Sequence, residues 1–158
     1  MALKLYRNHL DAASRAVETF LRIAKIDYEA VTVDVLKGET KTEEFKKNVN
    51  DLGMIPAIAH TLEGDEEPFK LSESAAILRY LSDHFKVSED LYPRADFVRR
   101  ARIDFFLDYH TGSFVPMVWG YVYDNIVKPK YFAANAEEKK EGEEEKKEDS
   151  AFNGFIRT

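Results

Sequence analysis

The chain has no cysteine, and this absence excludes several kinds of chemistry at once. Without a thiol there is no disulfide, no thiolate nucleophile and no thiolate metal ligand. The dithiol mechanism of disulfide oxidoreductases is therefore excluded. The four histidines are scattered without the spacing of metal ligands, so we expect no metal site; they are His9, His60, His84 and His110.

Long apolar runs and an excess of positive charge are also missing. No stretch approaches the ~20 apolar residues of a membrane-spanning helix, and the N-terminus lacks the apolar core of a signal peptide. The formal charge is −6, of which residues 133–150 supply −4 through eight acids and four lysines. The mildly acidic remainder argues against nucleic-acid binding. We therefore expect a cytoplasmic protein that binds neither membranes nor nucleic acids.

The spacing of apolar residues in the first half predicts alternating strands and helices. The predicted order is strand 3–9, helix 13–25, strand 28–35, a short helix capped by Thr42, strand 55–60, strand 69–71 and a helix capped by Ser72. A βαβ unit followed by a hairpin and a closing helix (βαβαββα) matches the thioredoxin fold. We therefore expect an α/β thioredoxin-like N-terminal domain over residues 1–85.

The second half changes character after a linker, 86–95. Helical patterns run from Asp96 to about His110 and from Met117 to about Val127, and both are rich in aromatic residues. Two helices cannot bury so many rings, so they need partner helices or a partner chain. Residues 133–158 supply no such helices, and we expect them to form a charged, poorly ordered tail.

Two short motifs stand where a strand meets an unusual backbone geometry. Pro56, in Met54-Ile55-Pro56-Ala57, predicts a tight turn that allows a cis bond and leaves the Ile55 backbone free to pair with an extended peptide. Ser72-Glu73-Ser74 opens a helix, whose unpaired N–H groups and positive dipole end attract a carboxylate. Together the motifs fit a small acidic peptide such as glutathione.

With this element order and these motifs, residues 3 to about 132 resemble the cytosolic glutathione transferases, closest to the theta class. The matching segments are 3–6, 14–17, 33–39, 50–57, 71–81, 92–93 and 99–104. The resemblance implies that 96–132 holds the first two helices of an incomplete all-α C-terminal domain. It leaves open whether the chain is C-terminally truncated as a fragment or is a natural short form.

The resemblance also implies an activity. Glutathione would be the co-substrate, with no other cofactor, and its thiolate would be conjugated to a hydrophobic electrophile in detoxification. The family implies a homodimer. The alternative is a catalytically weak or inactive glutathione-fold module that binds partners or assembles complexes.

By the same resemblance, four residues of the two motifs would hold glutathione. The backbone of Ile55, held by Pro56, would pair with the cysteinyl part of the peptide. Glu73 and Ser74 would hold the γ-glutamyl end. Structural interpretations of Glu73 and Pro56 stay open. A glutamate is favoured at a helix N-terminus because its negative charge interacts well with the helix dipole. Pro56 has a structural role whether or not the site binds glutathione.

Three further residues would complete the binding site by resemblance. Lys41, with Thr40 beside it, would meet the glycine carboxylate, although Lys41 is almost equally well read as a solvated lysine. Asp104 would reach across a dimer to the partner's glutathione.

The residue that activates the thiol departs from the family pattern. Theta-class members use a serine in the loop after the first strand, and alignment places Asp11 in that position. An ionised aspartate cannot donate a hydrogen bond, and its charge raises the pKa of a nearby thiol. Ser14, one helical turn later, would substitute only if the loop were displaced, and otherwise it packs within the helix. Asp11 itself reads as an N-cap.

Overall fold

The structure is a computed structural model that describes residues 2–131, with Tyr131 described for its backbone alone. The chain divides into two units, Met1–Asp108 and Tyr109–Thr158. The predicted tail of 133–158 lies outside the described residues.

The first unit is built on a mixed sheet of four strands, in the order β2-β1-β3-β4. The strands are β1 (Ala2–Arg7), β2 (Glu29–Thr32), β3 (Ala57–Thr61) and β4 (Phe69–Ser72). β1 runs parallel to β2 and antiparallel to β3, and β3 runs antiparallel to β4. The structure thus confirms the predicted thioredoxin-like arrangement, with β4 at the sheet edge.

Three helices and a 3₁₀ turn connect these strands. They are α1 (Ala12–Ile23), the turn Glu39–Lys41, α2 (Glu43–Asn48) and α3 (Ser74–His84). The Thr42 hydroxyl accepts a hydrogen bond from the Phe45 amide at 3.2 Å, as its predicted role as an N-cap requires.

The prediction that Ser72 caps α3 is wrong. Ser72 is the last residue of β4, and Glu73 occupies the N-cap position with φ 69°. The chain therefore turns through a left-handed residue between strand and helix, and no hydroxyl cap starts the helix.

The core lies between one face of the sheet and helices α1 and α3. Strand alternation sends Leu3 and Leu5 to this face, and helical spacing sends α1 and α3 residues to meet them. The residues of this cluster with no exposed surface are Leu5, Val17, Leu21, Ile58, Ile77 and Leu81. Phe45 of α2 contacts the Tyr6 ring edge-on at 6.2 Å, which places α2 on the opposite face.

The linker and nearly all of the next helix belong to the first unit, and ion pairs join that helix to α3. Tyr92 and Pro93 are buried, and α4 (Phe97–Tyr109) follows. The Arg79 guanidinium of α3 binds the Asp104 carboxylate of α4 at 2.7 Å, and Arg100 of α4 binds Asp83 of α3 at 2.6 Å.

The described part of the second unit is helical throughout. π-helical turns at His110–Phe114 and Tyr123–Val127 flank α5 (Val115–Val122), and α6 (Lys128–Tyr131) follows. The predicted break between two separate helices is therefore absent, because 110–116 keeps a helical backbone. Within residues 2–131 no helix is long and apolar enough to cross a membrane.

Candidate functional site

The Ile55–Pro56 peptide bond is cis, as the motif allowed. Ile55 precedes the β3 ladder, which begins at Ala57, and its side chain is half-buried. The loop before it is held by Asn50, whose Nδ2 donates to the Met54 carbonyl at 2.9 Å and whose Oδ1 accepts from the Leu52 amide at 3.1 Å. The backbone of Ile55 is thus fixed in place outside the pairing of the sheet.

Gly53 in this loop is required by its surroundings. Its φ is +61°, and a Cβ there would lie 2.7 Å from the Thr40 carbonyl oxygen. Any side chain would therefore have to displace backbone. The close approach joins the loop before Ile55 to the 3₁₀ turn that contains Thr40 and Lys41.

Lys41 and Thr40 are placed beside the loop, but in unequal ways. The Lys41 Nζ donates to the Gly53 carbonyl at 2.8 Å, while Thr40 is only 6% exposed. An ammonium group has three N–H donors, so Lys41 keeps donors for a ligand. A buried Thr40 supports the turn and presents little surface of its own.

The start of α3 carries an open set of backbone donors. Glu73 has φ 69° and ψ 112°, and within the described residues no side chain caps the helix. A left-handed conformation costs a non-glycine residue on the order of 1–3 kcal/mol. This conformation leaves the first backbone N–H groups of α3 without a side-chain cap, and such groups favour a carboxylate. The exposed Glu73 side chain and the half-buried Ser74 lie beside them.

The register of the sheet brings the two motifs together. Ala57, next to Pro56, pairs with Ser72, next to Glu73. Tyr6 of β1 pairs with the same Ala57, so the loop after β1 lies at this end of the sheet too. The structure therefore places Ile55 and Pro56 at the same end of the sheet as the Glu73 corner.

The loop after β1 is organised by Asp11 and Ser14. The Asp11 carboxylate caps α1 by accepting from the Ser14 amide at 2.6 Å. The Ser14 side chain is fully buried, and its hydroxyl accepts from the Asn8 amide at 3.4 Å. The Ser14 hydroxyl therefore presents no surface to a ligand in this arrangement.

Asp104 is bound within its own chain. Its Oδ1 accepts from Arg79 Nε at 2.7 Å and from the Tyr92 hydroxyl at 2.8 Å. Burial raises the pKa of Asp104, but the hydrogen bonds from Arg79 and Tyr92 outweigh burial and hold the pKa below its ordinary value. This carboxylate therefore helps to attach α4 to α3, a contact that joins residues 25 positions apart in the sequence.

Sequence reasoning also missed Asn50 as the organiser of the loop before Ile55. A signal was available, because asparagine side chains commonly bond to the backbone two residues later in a turn.

Within residues 2–131 no group of three histidine, aspartate or glutamate side chains is placed to hold a metal ion.

The surface of the first unit includes a shallow apolar groove and a polar pocket. A shallow apolar groove of about 680 Å³ runs along α4, where Phe97, Val98, Phe105 and Phe106 are among its lining residues. A polar pocket of about 220 Å³ lies between the end of α2 and β4. Neither is lined by the side chains of Ile55, Glu73 or Ser74.

Among proteins of similar sequence are several glutathione S-transferases. Arabidopsis thaliana glutathione S-transferase T1 is 35% identical over 130 residues, covering 82% of this chain and 50% of that protein. Mouse glutathione S-transferase theta-2 is 37% identical over 123 residues, covering 75% of this chain and 47% of that protein. The chain thus spans about half the length of these curated relatives.

Solved structures give the same result. Human glutathione transferase theta-2, in complex with glutathione and an unknown ligand, superposes with a TM-score of 0.61 at 37% identity, over 70% of this chain and 42% of that one. A transferase homologue from Lodderomyces elongisporus, with two glutathione molecules per subunit, gives 0.71 at 26% identity, over 78% and 56%. The model of the glutathione S-transferase N-terminal domain matches residues 1–83. The chain therefore belongs to the glutathione S-transferase family through its N-terminal domain.

Proposed function

We propose that this protein binds glutathione and transfers its thiolate to a hydrophobic electrophile. The observation that carries the proposal is that Ile55 and cis-Pro56 lie at the same end of the sheet as the uncapped start of α3. An extended peptide gains backbone hydrogen bonds from the first feature and a carboxylate contact from the second. The glutathione present in the human theta-2 and Lodderomyces structures supports the same ligand.

The proposed binding roles are those that the family resemblance implies, and the positions described above support them. The Ile55 backbone pairs with the cysteinyl part of glutathione while Pro56 holds the turn. Glu73 accepts from the γ-glutamyl ammonium, and Ser74 with the first α3 amides donates to the γ-glutamyl carboxylate. Lys41 meets the glycine carboxylate through a donor not used on Gly53, and the adjacent Thr40 supports the turn.

The reaction needs a deprotonated thiol. The thiolate sulfur attacks the electrophilic carbon, the leaving group departs with its bonding electrons, and the thiol proton goes to solvent. Asp11 offers no hydrogen bond to the thiolate, and its carboxylate disfavours the negative sulfur. Turnover is therefore slow at neutral pH, and Ser14 assists only in a conformation with the 8–11 loop displaced.

Asp11 also supports a second candidate function, a glutathione-fold module that binds or assembles partners without catalysis. Such a module needs the glutathione-binding corner and no thiol activation. Both functions suit a protein of the cytoplasm.

We also propose that the protein forms a homodimer. Phe97, Phe105 and Phe106 along α4 are 77%, 61% and 66% exposed, and soluble monomers rarely expose large contiguous apolar surfaces. Asp104 lies on the same helix and keeps a proposed role toward a partner's glutathione through its second oxygen. Sedimentation tests this: a clean monomer at micromolar concentration that binds no apolar dye would contradict the dimer.

Two measurements separate the candidate functions. Retention on immobilised glutathione tests binding, and calorimetry with free glutathione measures the affinity. Conjugation of glutathione to a generic aromatic halide tests transfer. Binding with conjugation supports the transferase, whereas binding without conjugation supports the module. Failure to bind glutathione would exclude both.

A further inference from the structure

The polar pocket between α2 and β4 has a defined construction. It is lined by Lys46 and Lys47 at the end of α2, Asp51 in the following loop, and Lys70 and Ser72 on β4. Its volume is about 220 Å³. Two elements that are distant in sequence thus direct three lysines towards one small space.

The register of β3 and β4 places Lys70 and Ser72 on the same face of the sheet. Lys70 pairs with Ala59 and Ser72 pairs with Ala57, and paired residues project from the same face of a sheet. This is the face on which α2 packs. Lys70 and Ser72 therefore lie beside the end of α2, where Lys46 and Lys47 also line the pocket.

The charges in this pocket are not balanced by the protein. Three lysines face a single aspartate, Asp51, and only Lys46 has a carboxylate partner, Glu43 at 3.1 Å. Within residues 2–131 neither Lys47 nor Lys70 forms an ion pair, and the Ser72 hydroxyl makes no hydrogen bond. Like charges gathered in one concavity raise the local concentration of anions.

We propose that this lysine pocket (Lys46, Lys47, Lys70 and Ser72) binds a phosphate group. Lys47 and Lys70 supply charge from opposite walls, and the Ser72 hydroxyl donates a hydrogen bond. Lysine ammonium groups bind phosphate as point charges and need no bidentate geometry. The volume suits one oxyanion and is below the roughly 300–1,000 Å³ of pockets that hold drug-sized ligands.

This inference is independent of the glutathione proposal, since the two share no residue. The loop that contains Asp51 also leads into Ile55, so it forms one wall of the lysine pocket and the approach to the glutathione corner. The phosphate group could belong to the free ion or to a small phosphate ester.

The test is a titration of the full ¹⁵N-labelled chain with inorganic phosphate, at an ionic strength held constant with chloride. We expect saturable shifts in the amide signals of residues 46–51 and 70–72, with an affinity of roughly millimolar. The double variant Lys47→Gln with Lys70→Gln should weaken binding about tenfold or more, because two charged contacts are lost. Lys37→Gln is the control for the loss of one lysine charge, since it removes that charge at a 79% exposed site elsewhere on the same unit.

A parallel titration with methyl phosphate distinguishes the source of the group. Saturation by both compounds assigns the pocket to phosphate esters, and saturation by inorganic phosphate alone assigns it to the free ion. Shifts that rise linearly without saturation, that chloride reproduces, or that survive the double variant would overturn the proposal. Unchanged signals elsewhere in the double variant show that it is folded.

Discussion

The core of the first unit and the described helices of the second unit differ in how far they bury their apolar side chains. In the first, Leu5, Ile58 and Leu81 have no exposed surface, because strand and helix faces close on each other. In the second, Trp119 is 54% and Tyr121 is 69% exposed, although the backbone there is helical throughout. Helical backbone alone therefore buries nothing, and a hydrophobic helix becomes core only when another element covers its face.

The largest expected effect is on the free energy of unfolding, which should fall far more for a substitution in the core of the first unit than for one in the second unit. Leu81→Ala removes a fully buried side chain and should reduce the free energy of unfolding by about 2–5 kcal/mol, through lost transfer energy and a cavity. Trp119→Ala should change it by less than about 0.5 kcal/mol. Urea unfolding measures both. An equal loss of unfolding free energy for the two changes would show that Trp119 is covered in solution. That result would contradict the difference in burial between the two regions.

Glutathione binding should depend on the first unit alone. Glu73→Ala should weaken binding by about 1.5–3 kcal/mol, because a charge-assisted hydrogen bond is lost. Glu73→Gln keeps the side-chain size and separates charge from strain at this left-handed position. Tyr121→Ala in the second unit is the control and should bind normally. Equal calorimetric affinity of Glu73→Ala and the parent would remove Glu73 from the site.

Turnover should respond to the residue after β1. Asp11→Ser replaces a repelling carboxylate by a hydroxyl donor, and each unit by which the thiol pKa falls gives about tenfold more thiolate at neutral pH. We expect a rise of about tenfold in the conjugation rate at pH 7, read from a pH–rate profile. If the parent already shows a thiol pKa well below that of free glutathione, another group activates it. Ser14→Ala should then remove that activation.

The smallest effect concerns acid stability. His60 is fully buried in the first unit, and burial, with a smaller contribution from the charge of His84, lowers its pKa from the ordinary 6.5. The folded state then binds fewer protons than the unfolded state, so stability is complete above about pH 6.5 and declines as the pH falls towards the lowered value. His60→Phe should flatten this decline in thermal unfolding between pH 7.5 and 5.5.

The exposed His110 of the second unit provides the control for this experiment. His110→Gln should leave the pH dependence as it is in the parent. A decline that persists unchanged in His60→Phe would assign the acid sensitivity to other groups.

Local patterns predicted much of the first unit because its elements follow local rules. Alternation at Leu3 and Leu5, the Thr42 cap and the cis-allowing Pro56 all depend on near neighbours in sequence. The same reasoning failed at Ser72, whose hydroxyl suits a helix cap. The pairing of β3 with β4 extends through Ser72, so Glu73 makes the turn into α3 instead. It also failed between residues 110 and 116, where a helical backbone continues through an expected break.

The sequence by itself determined the strand–helix order, the apolar faces of α1 and α3, and the two motifs that identify the family. Only the tertiary structure decided which side chains remain available for chemistry. Ser14 is buried, Lys41 is committed in part to Gly53, and Asp104 is bound to Arg79 across two helices. The physical reason is that periodicity and capping act over a few residues, whereas the partner of a polar group is set by whichever distant element packs against it.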